Sequence, residues 1–337
     1  QFQGFVGNGG QPVSKGSVEI HTSADAVGAP VFYRDVPLMP TETEQGVIKP
    51  LAASAIPRIA WRVRDLSSTR SRVVLTGMPT CANCHSFTSD GKTLGMDLDG
   101  PQNDKGLYTL AAVRPRMEIR NQDMIEWRSV RGKLASPIRV GFMSQVSPDG
   151  RYVVTTINPV EAGVAPYAGM HNSSGYYTAN FADYRFLQVF YLTRGVLAWY
   201  NRDSGRLEPL PGASDPRYVQ VSAFWTPDGK SLIFERAAER DPYPEGAPVA
   251  KFAGSPDETR IQYDLYRIPF NEGRGGTAEP ISGASQNGMS NSFPKVSPDG
   301  KWIVFVKARN GQLMRPDGEL WIIPAEGGVA RRLRSNA

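Results

Sequence analysis

The chain has 337 residues, of which 40% are hydrophobic and 21% charged, a composition typical of a folded globular protein. The formal net charge is +5, but acidic residues are interspersed with basic ones and the one basic run is Arg331, Arg332 and Arg334. We therefore expect no nucleic-acid-binding surface. No apolar run reaches the ~18 residues that a membrane-spanning helix needs, so we expect no transmembrane segment. The chain begins with Gln1, which predicts a processed or trimmed N-terminus.

The N-terminal region predicts an arm followed by an irregular first unit. Residues 1–17 are rich in Gly, Gln and Ser and predict an arm. A short strand pattern follows at 17–21, and the alternating segments 59–63 and 72–75 predict a hairpin. The polar stretch 41–56 between them predicts a loop.

Residues 81–85 read Cys-Ala-Asn-Cys-His and contain both cysteines of the chain and one of its three histidines. This spacing is typical of c-type haem attachment, in which two thiols bind the porphyrin edge and the adjacent histidine binds iron. A redox Cys pair would favour a βαβ context, which is absent here, and a structural zinc needs four ligands. We therefore predict one covalent haem c held by Cys81, Cys84 and His85, with His85 as the proximal iron ligand.

A turn pattern recurs four times along the rest of the chain. The copies are Thr88-Ser89-Asp90-Gly91, Ser147-Pro148-Asp149-Gly150, Thr226-Pro227-Asp228-Gly229 and Ser297-Pro298-Asp299-Gly300. Proline presets φ, aspartate binds back to the backbone and glycine accepts a positive φ, so the pattern predicts a tight turn. A β-branched or aromatic run follows each of the last three copies, which indicates a hairpin.

A second pattern recurs later in each unit. Strand-like segments occur at 107–110, 196–200, 264–269 and 319–324, and the last two lead through glycines into a further short strand. Two hairpins per unit predict the four-stranded blade of a β-propeller. The fold class is therefore all-β, with five units visible at about 18–80, 81–140, 141–218, 219–290 and 291–337. Insertions at 159–181 and 238–257 are expected on the rim or a face of the propeller.

The Ser-Pro-Asp-Gly turn, the following strand and the later segment Leu320-Trp321-Ile322-Ile323-Pro324 with Gly327-Gly328 resemble the TolB-type propeller repeat. The resemblance covers residues 81–334. Together with the Cys-x-x-Cys-His motif, the chain resembles the haem-bearing propeller proteins of bacterial periplasms. That resemblance implies a periplasmic or cell-surface location. Six or seven blades are usual in such proteins, so five units predict either a five-bladed ring or part of a larger one.

The turn pattern also predicts where the haem lies. His85 is five positions before Asp90, and the same offset falls on Ser144, Ala223 and Pro294. These positions enter the first strand of each blade, which lines the central channel of a propeller. We therefore expect iron at the mouth of the channel, with a sixth ligand supplied by another blade.

Few residues are candidates for that sixth ligand. We favour Met289 or Met143 over His171, and over the remaining candidates His21, Met78, Met96 and Met170. A methionine ligand would raise the reduction potential relative to a second histidine. Asp97, Asp99 and Asp104 resemble part of a calcium loop, but they lack the glycine and terminal glutamate of an EF-hand and favour a polar turn instead.

Three classes of function remain open from the sequence. The first is a monohaem electron-transfer protein that serves a partner redox protein or a larger membrane-associated or extracytoplasmic complex. The second is a haem enzyme with an open sixth position, of the peroxidase or nitrogen-oxide reductase type. Such chemistry needs distal acid–base groups, and the chain has only three histidines, so we favour a protein that is not an enzyme. The third is a structural or docking subunit, because propellers host many unrelated functions.

Overall fold

The computed structural model describes residues 2–5, 12–17, 30–37, 53–78, 82–98, 106–127, 129–132, 141–157, 178–179, 191–240, 248, 250, 254–312, 315 and 317–336. The described residues form five sheets that succeed one another along the chain, together with two small hairpins. The five sheets are named blades A to E in chain order.

The first hairpin and blade A occupy the N-terminal part of the chain. The hairpin consists of β1 (Phe2–Phe5) and β2 (Pro12–Gly16), which lie in the predicted arm. Blade A has three antiparallel strands, β3 (Val31–Asp35), β4 (Ala60–Arg64) and β5 (Ser71–Thr76). A 3₁₀ turn, Ala53–Arg58, precedes β4. The hairpin predicted from residues 59–63 and 72–75 is therefore present as β4 and β5.

Blades B and C carry the first two copies of the turn. Blade B consists of β6 (Ala82–Phe87), β7 (Thr93–Leu98), β8 (Leu107–Ala112) and β9 (Met124–Glu126), with a 3₁₀ turn at Asn121–Asp123. Blade C consists of β10 (Arg131–Gly132), β11 (Phe142–Val146), β12 (Tyr152–Ile157), β15 (Val196–Asn201) and β16 (Arg206–Pro209). The small hairpin of β13 (Thr178–Ala179) and β14 (Tyr191–Leu192) lies in the insertion between β12 and β15.

Blades D and E are regular four-stranded sheets. Blade D consists of β17 (Tyr218–Trp225), β18 (Ser231–Ala238), β19 (Asp264–Pro269) and β20 (Glu279–Pro280), with a 3₁₀ turn at Asn271–Gly273. Blade E consists of β21 (Ser290–Val296), β22 (Trp302–Ala308), β23 (Glu319–Pro324) and β24 (Arg331–Arg332). The first strands of successive blades contact one another, β6 with β11, β11 with β17 and β17 with β21, as strands around a central axis do.

Each Asp-Gly turn is closed by the same side-chain hydrogen bonds. In blade C the Ser147 hydroxyl donates to the Asp149 carboxylate at 2.5 Å and accepts the amide of Tyr152 at 2.9 Å. The amide of Arg151 donates to the same carboxylate at 3.0 Å. The residues at the corresponding positions of blades B, D and E make equivalent bonds. The repeated sequence pattern thus forms the same turn in all four blades. The first and second strands of each blade are therefore paired in the same way relative to the turn.

The first strand of each of these four blades also bulges at one position. Cys84, Met143, Ser222 and Phe293 have φ between 51° and 54°, and each lies where the pairing with the second strand shifts by one residue. All four stand six positions before the aspartate of their turn. Because four different side chains occupy the bulge, it is a property of the blade and not of the residue.

Apolar residues fill the space between consecutive blades. Trp61 of blade A packs with Leu94 and Met96 of blade B. Further clusters join blade B to C, C to D and D to E, and their largest fully buried members include Trp127, Phe234 and Phe305. Burial of such side chains, at about 25 cal/mol per Å² of apolar surface, is the main term that stabilises the stacked sheets.

One strand departs from the predicted unit boundaries. Residues Arg131 and Gly132 lie within the unit predicted at about 81–140, yet β10 pairs in parallel with β16 at the outer edge of blade C. The segment after blade B therefore reaches across to the next sheet before the chain enters β11. A two-residue bridge carries no periodic pattern from which the sequence could have predicted it.

Candidate functional site

The second half of the Cys-x-x-Cys-His motif lies on the first strand of blade B. Cys84 and His85 are both half-buried on β6, and Cys84 is the bulged residue. Cys81 lies outside the described residues. The equivalent positions Ser144, Ala223 and Pro294 lie on β11, β17 and β21, as the alignment on the turns predicted. The motif is thus on a strand that adjoins the central axis.

The Cys84 thiol faces blade C. Its Sγ lies 3.3 Å from the Sδ of Met143, the residue at the equivalent bulge of the next blade. Cys84 and Phe293 pack against an apolar cluster that includes Met143, Val221, Ile261 and Tyr263. Met143 is 8% exposed, so the thiol borders an apolar environment on this side of β6.

The His85 imidazole faces blade A instead. Its ring centroid is 5.0 Å from that of Phe32 and 6.0 Å from that of Phe87, both in edge-to-face arrangements. Burial among these rings, and secondly the positive charge of Lys295, lower the pKa of His85 below its usual value. The imidazole is therefore neutral near pH 7, which leaves a ring nitrogen with a lone pair available for a metal.

Lys295 is a member of this site that sequence reasoning missed. It lies on β21 of blade E, and its Nζ is 3.6 Å from the centroid of the Phe224 ring on blade D. Desolvation of the ammonium lowers its pKa to about 8, and the electrostatic effect of Cys84 acts in the opposite direction. The residue as a whole is nevertheless exposed. Lys295 and Phe224 both stand four positions before the aspartate of their turn, and that shared offset is the signal that could have identified the lysine.

The other candidates for the sixth iron ligand lie at different distances from the motif or outside the described residues. Met289 is half-buried in the segment that leads into β21, where its amide donates to the Asn287 side chain at 3.1 Å. It stands ten positions before Asp299, four more than Met143 stands before Asp149, so along the strand it is roughly 13 Å further from its turn. His171, His21 and Met170 lie outside the described residues. Of the two favoured methionines, the structure brings Met143 to the motif.

Two buried carboxylates support the bulges from the preceding blade. Asp97 on β7 accepts the amide of Ser144 at 3.0 Å, and Glu235 on β18 accepts the amide of Phe293 at 2.8 Å. Glu235 also accepts a hydrogen bond from the Gln312 side chain, whose amide nitrogen donates to Ser222 as well. These N–H donors favour the charged form of Glu235, but burial outweighs them and raises its pKa to about 8.

Asp97 therefore has a structural role in the described region, and Asp99 and Asp104 of the calcium-like segment lie outside it. Within the described ranges, no three His, Cys, Asp or Glu side chains converge as a potential metal-ion site. This finding does not bear on haem, whose iron is held by the porphyrin and needs only axial ligands from the protein.

The donor set around β6 fits the chemistry of haem c. A thiol borders an apolar cluster, and a neutral imidazole comes directly after it in the chain. The two side chains nevertheless face different blades, because Cys84 contacts Met143 and His85 contacts Phe32. Binding of one group by both residues thus requires the His85 ring to turn away from Phe32.

Comparisons with known proteins concern the fold. No protein-family model matches the chain, and no curated protein matches it. Among solved structures, TolB from Acinetobacter baumannii is similar at 16% identity over 83% of this chain and 50% of that one, with a TM-score of 0.45. A putative TolB from Agrobacterium tumefaciens is similar at 18% identity over 78% of this chain and 83% of that one, with a TM-score of 0.35. The Kuenenia stuttgartiensis hydrazine synthase is similar at 12% identity over 79% and 70% of the two chains, with a TM-score of 0.39.

The chain thus spans half the length of the Acinetobacter TolB. The sheet order and the contacts between blades define the class of protein: an all-β propeller with five blades in its described part, four of them built on a repeated Asp-Gly turn. None of the short helical turns in that part is long and apolar enough to cross a membrane. Structural similarity at such low sequence identity concerns the fold and gives no information about activity.

Proposed function

We propose that the protein is a monohaem c-type cytochrome on a β-propeller scaffold, which transfers electrons to or from a partner redox protein or within a larger complex. The observation that carries the proposal is the adjacency of a thiol and a neutral imidazole on β6, within a motif that uses both cysteines of the chain. A covalent haem with an adjacent histidine ligand would supply one-electron chemistry.

Each residue near β6 has a defined part in this proposal. Cys81 and Cys84 hold the porphyrin through two thioether bonds, and His85 donates a ring nitrogen to iron. Phe87, next but one to His85 on the same strand, helps to keep water from the imidazole, and the pairing of β6 with β7 holds the bulge at Cys84 in place. Met143 is the favoured sixth ligand, since its sulfur already lies beside Cys84 on the side of β6 away from His85.

The location and partner are part of the same proposal. Attachment of haem to a Cys-x-x-Cys-His motif, in the proteins that this chain resembles, takes place outside the cytoplasmic membrane. We therefore place the protein in the periplasm or at the cell surface of a bacterium. A single haem relays electrons only when its edge approaches a second redox centre, so a partner protein or complex is required.

Covalent attachment is the first test. The full chain is expressed with a c-type haem-attachment system, unfolded in acid and organic solvent, and examined for haem that stays with the polypeptide. We expect wild-type protein and Asn83→Ala to retain haem, because Asn83 lies between the thiols and is exposed. The double variant C81A/C84A is expected to lose it. Retention by the double variant, or absence of haem from wild type, would refute the proposal.

Carbon monoxide separates the proposed function from the enzyme alternative. A reduced haem with both axial positions taken excludes carbon monoxide, and its optical spectrum stays unchanged when the gas is added. A shifted Soret band in wild-type protein would instead indicate an open position, as a peroxidase or nitrogen-oxide reductase requires. A docking subunit would also show a haem with both axial positions taken. Its reduction potential, measured by redox titration of the assembled complex, would lie outside the range of the other redox centres of that complex.

A further inference from the structure

A large cavity lies on the face of the propeller opposite the Asp-Gly turns. Its volume is about 750 Å³, and it is lined by the end of β18, the segment before β19 and the segment after β22. Cavities of roughly 300–1,000 Å³ are of the size that encloses small organic ligands. The cavity therefore has room for a metabolite-sized molecule.

Arginine dominates the charge of this cavity. The charged side chains in its lining are four arginines and two acids: Arg240, Arg260, Arg309, Arg315, Glu258 and Asp317. Both acids are already paired, since Glu258 accepts two hydrogen bonds from Arg315, and Asp317 accepts the backbone amide of Arg309 at 2.9 Å and its side-chain Nε–H at 3.2 Å. Two positive charges of the lining are thus left without a compensating carboxylate in the described residues.

Those two charges belong to Arg240 and Arg260. Both residues are exposed, and within the described part of the chain neither guanidinium has a hydrogen-bond or ion-pair partner. Two uncharged polar residues of the lining are occupied, because Gln262 donates to two backbone carbonyls and Asn310 accepts the amide of Ile261 at 2.7 Å. The charged donors left free in the described lining are therefore the guanidiniums of Arg240 and Arg260.

The buried pair of Arg315 and Glu258, which forms the floor of the cavity, also indicates a ligand. The side chains of Arg315 and Glu258 are only 2% and 5% exposed, and the amide of Gly254 donates to the Glu258 carboxylate at 2.8 Å. The Nε of Arg315 is buried and has no hydrogen-bond partner among the described residues, with the nearest carboxylate oxygen, on Asp317, 3.7 Å away. A buried N–H without an acceptor is costly, and an oxyanion in the cavity would satisfy it.

We propose that this cavity binds a small organic dianion, whose two negative charges are met by Arg240 and Arg260 beside the buried Arg315. The two uncompensated guanidiniums match a double negative charge, and each planar fork can donate a pair of hydrogen bonds to carboxylate or phosphate oxygens. Cys84 and His85 are not among the residues that line the cavity, and the proposed binding does not depend on haem.

The test is a calorimetric titration of the full chain at constant ionic strength, with succinate and glycerol 3-phosphate as probes and glycerol as the uncharged control. We expect saturable one-to-one binding of at least one anion and none of glycerol. Saturation by succinate alone identifies a carboxylate ligand, and saturation by glycerol 3-phosphate alone identifies a phosphate ester.

Variants locate the binding. R240Q and R260Q are each expected to weaken affinity about tenfold, the factor that corresponds to one lost charge-assisted hydrogen bond. R274Q is the matched control, since Arg274 is an exposed arginine paired with Glu272 outside the cavity. Circular dichroism and thermal unfolding without ligand confirm that the variants are folded. Failure of both anions to bind, unchanged affinity in R240Q and R260Q, or an equal loss in R274Q would overturn the proposal.

Discussion

At the scale of single residues, the buried acid Glu235 links the fold to pH. Burial raises its pKa to about 8, whereas an unfolded glutamate has a pKa near its usual 4.5. Between these values the folded protein holds a proton that the unfolded chain has lost, so the free energy of unfolding falls as pH rises. Below the lower value both states are protonated and this contribution is complete.

We therefore predict that Glu235→Gln reduces the pH dependence of stability between about pH 5 and 8. The amide imitates the protonated acid, because the Gln312 side chain can turn its carbonyl toward a donor at this position. One group contributes at most about 1.4 kcal/mol per pH unit. Urea unfolding across this range measures the slope. Glu118→Gln, at an exposed glutamate, should leave the wild-type slope intact, and an identical slope in E235Q would contradict the prediction.

Lys295 is the second residue whose charge has a measurable consequence. A positive charge close to the proposed iron disfavours its oxidised form, so Lys295→Gln should lower the reduction potential. An effect on the order of 1 kcal/mol corresponds to about 40 mV for one electron. The control is Lys307→Gln, because Lys307 also stacks on an aromatic ring, Trp321 at 4.3 Å, but lies on β22. Equal potentials in wild type and K295Q would contradict the prediction.

At the scale of elements, two loops between blades interlock through glycine. Gly212 has φ of +89°, and a Cβ there would lie 1.8 Å from the carbonyl oxygen of Gly276. Gly283 is placed in the same way against Gly328, at 1.9 Å. The loop that enters blade D thus rests on a loop of blade D itself, and the arrangement repeats one blade later.

Gly212→Ala should therefore destabilise the protein by more than backbone strain alone. A positive φ costs a non-glycine residue about 1–2 kcal/mol, and the overlap with Gly276 adds to it. Gly77→Ala isolates the first term, because Gly77 has φ of +75° and nothing within 4 Å of the added methyl group. We expect chemical unfolding to show a loss at least about 1 kcal/mol larger for G212A. Equal losses in the two variants would mean that the loops separate without cost.

The elements also show what the sequence could and could not predict. The turns were predictable because each is closed within six residues, as in Ser147 to Tyr152, by bonds that depend on residue type. The bulge at Cys84 was not, since cysteine, methionine, serine and phenylalanine share it and it follows from the pairing of the first two strands of each blade. A bulge changes which face of a strand its residues occupy. The motif was therefore evident, whereas the separate directions of Cys84 and His85 were not.

At the scale of the whole molecule, the residues that surround the motif come from different blades. Phe32 belongs to blade A, Met143 to blade C, Val221 to blade D and Lys295 to blade E. Only the stacking of blades around an axis brings them near β6, and no local pattern encodes these contacts. The proposed haem would in this way be tied to several sheets at once, which favours a rigid environment with little rearrangement between redox states.

The choice of sixth ligand tests this arrangement between blades B and C. Met143 lies beside Cys84, whereas the described hydrogen bond of Met289 is to nearby Asn287. Met143→Leu keeps the apolar volume but removes the sulfur, so we expect the oxidised protein to lose its methionine-to-iron charge-transfer band and the reduced protein to bind carbon monoxide. Met289→Leu should change neither property. The reverse result would assign the ligand to the segment before β21, and a closed haem in both variants would exclude both methionines in favour of a ligand such as His171.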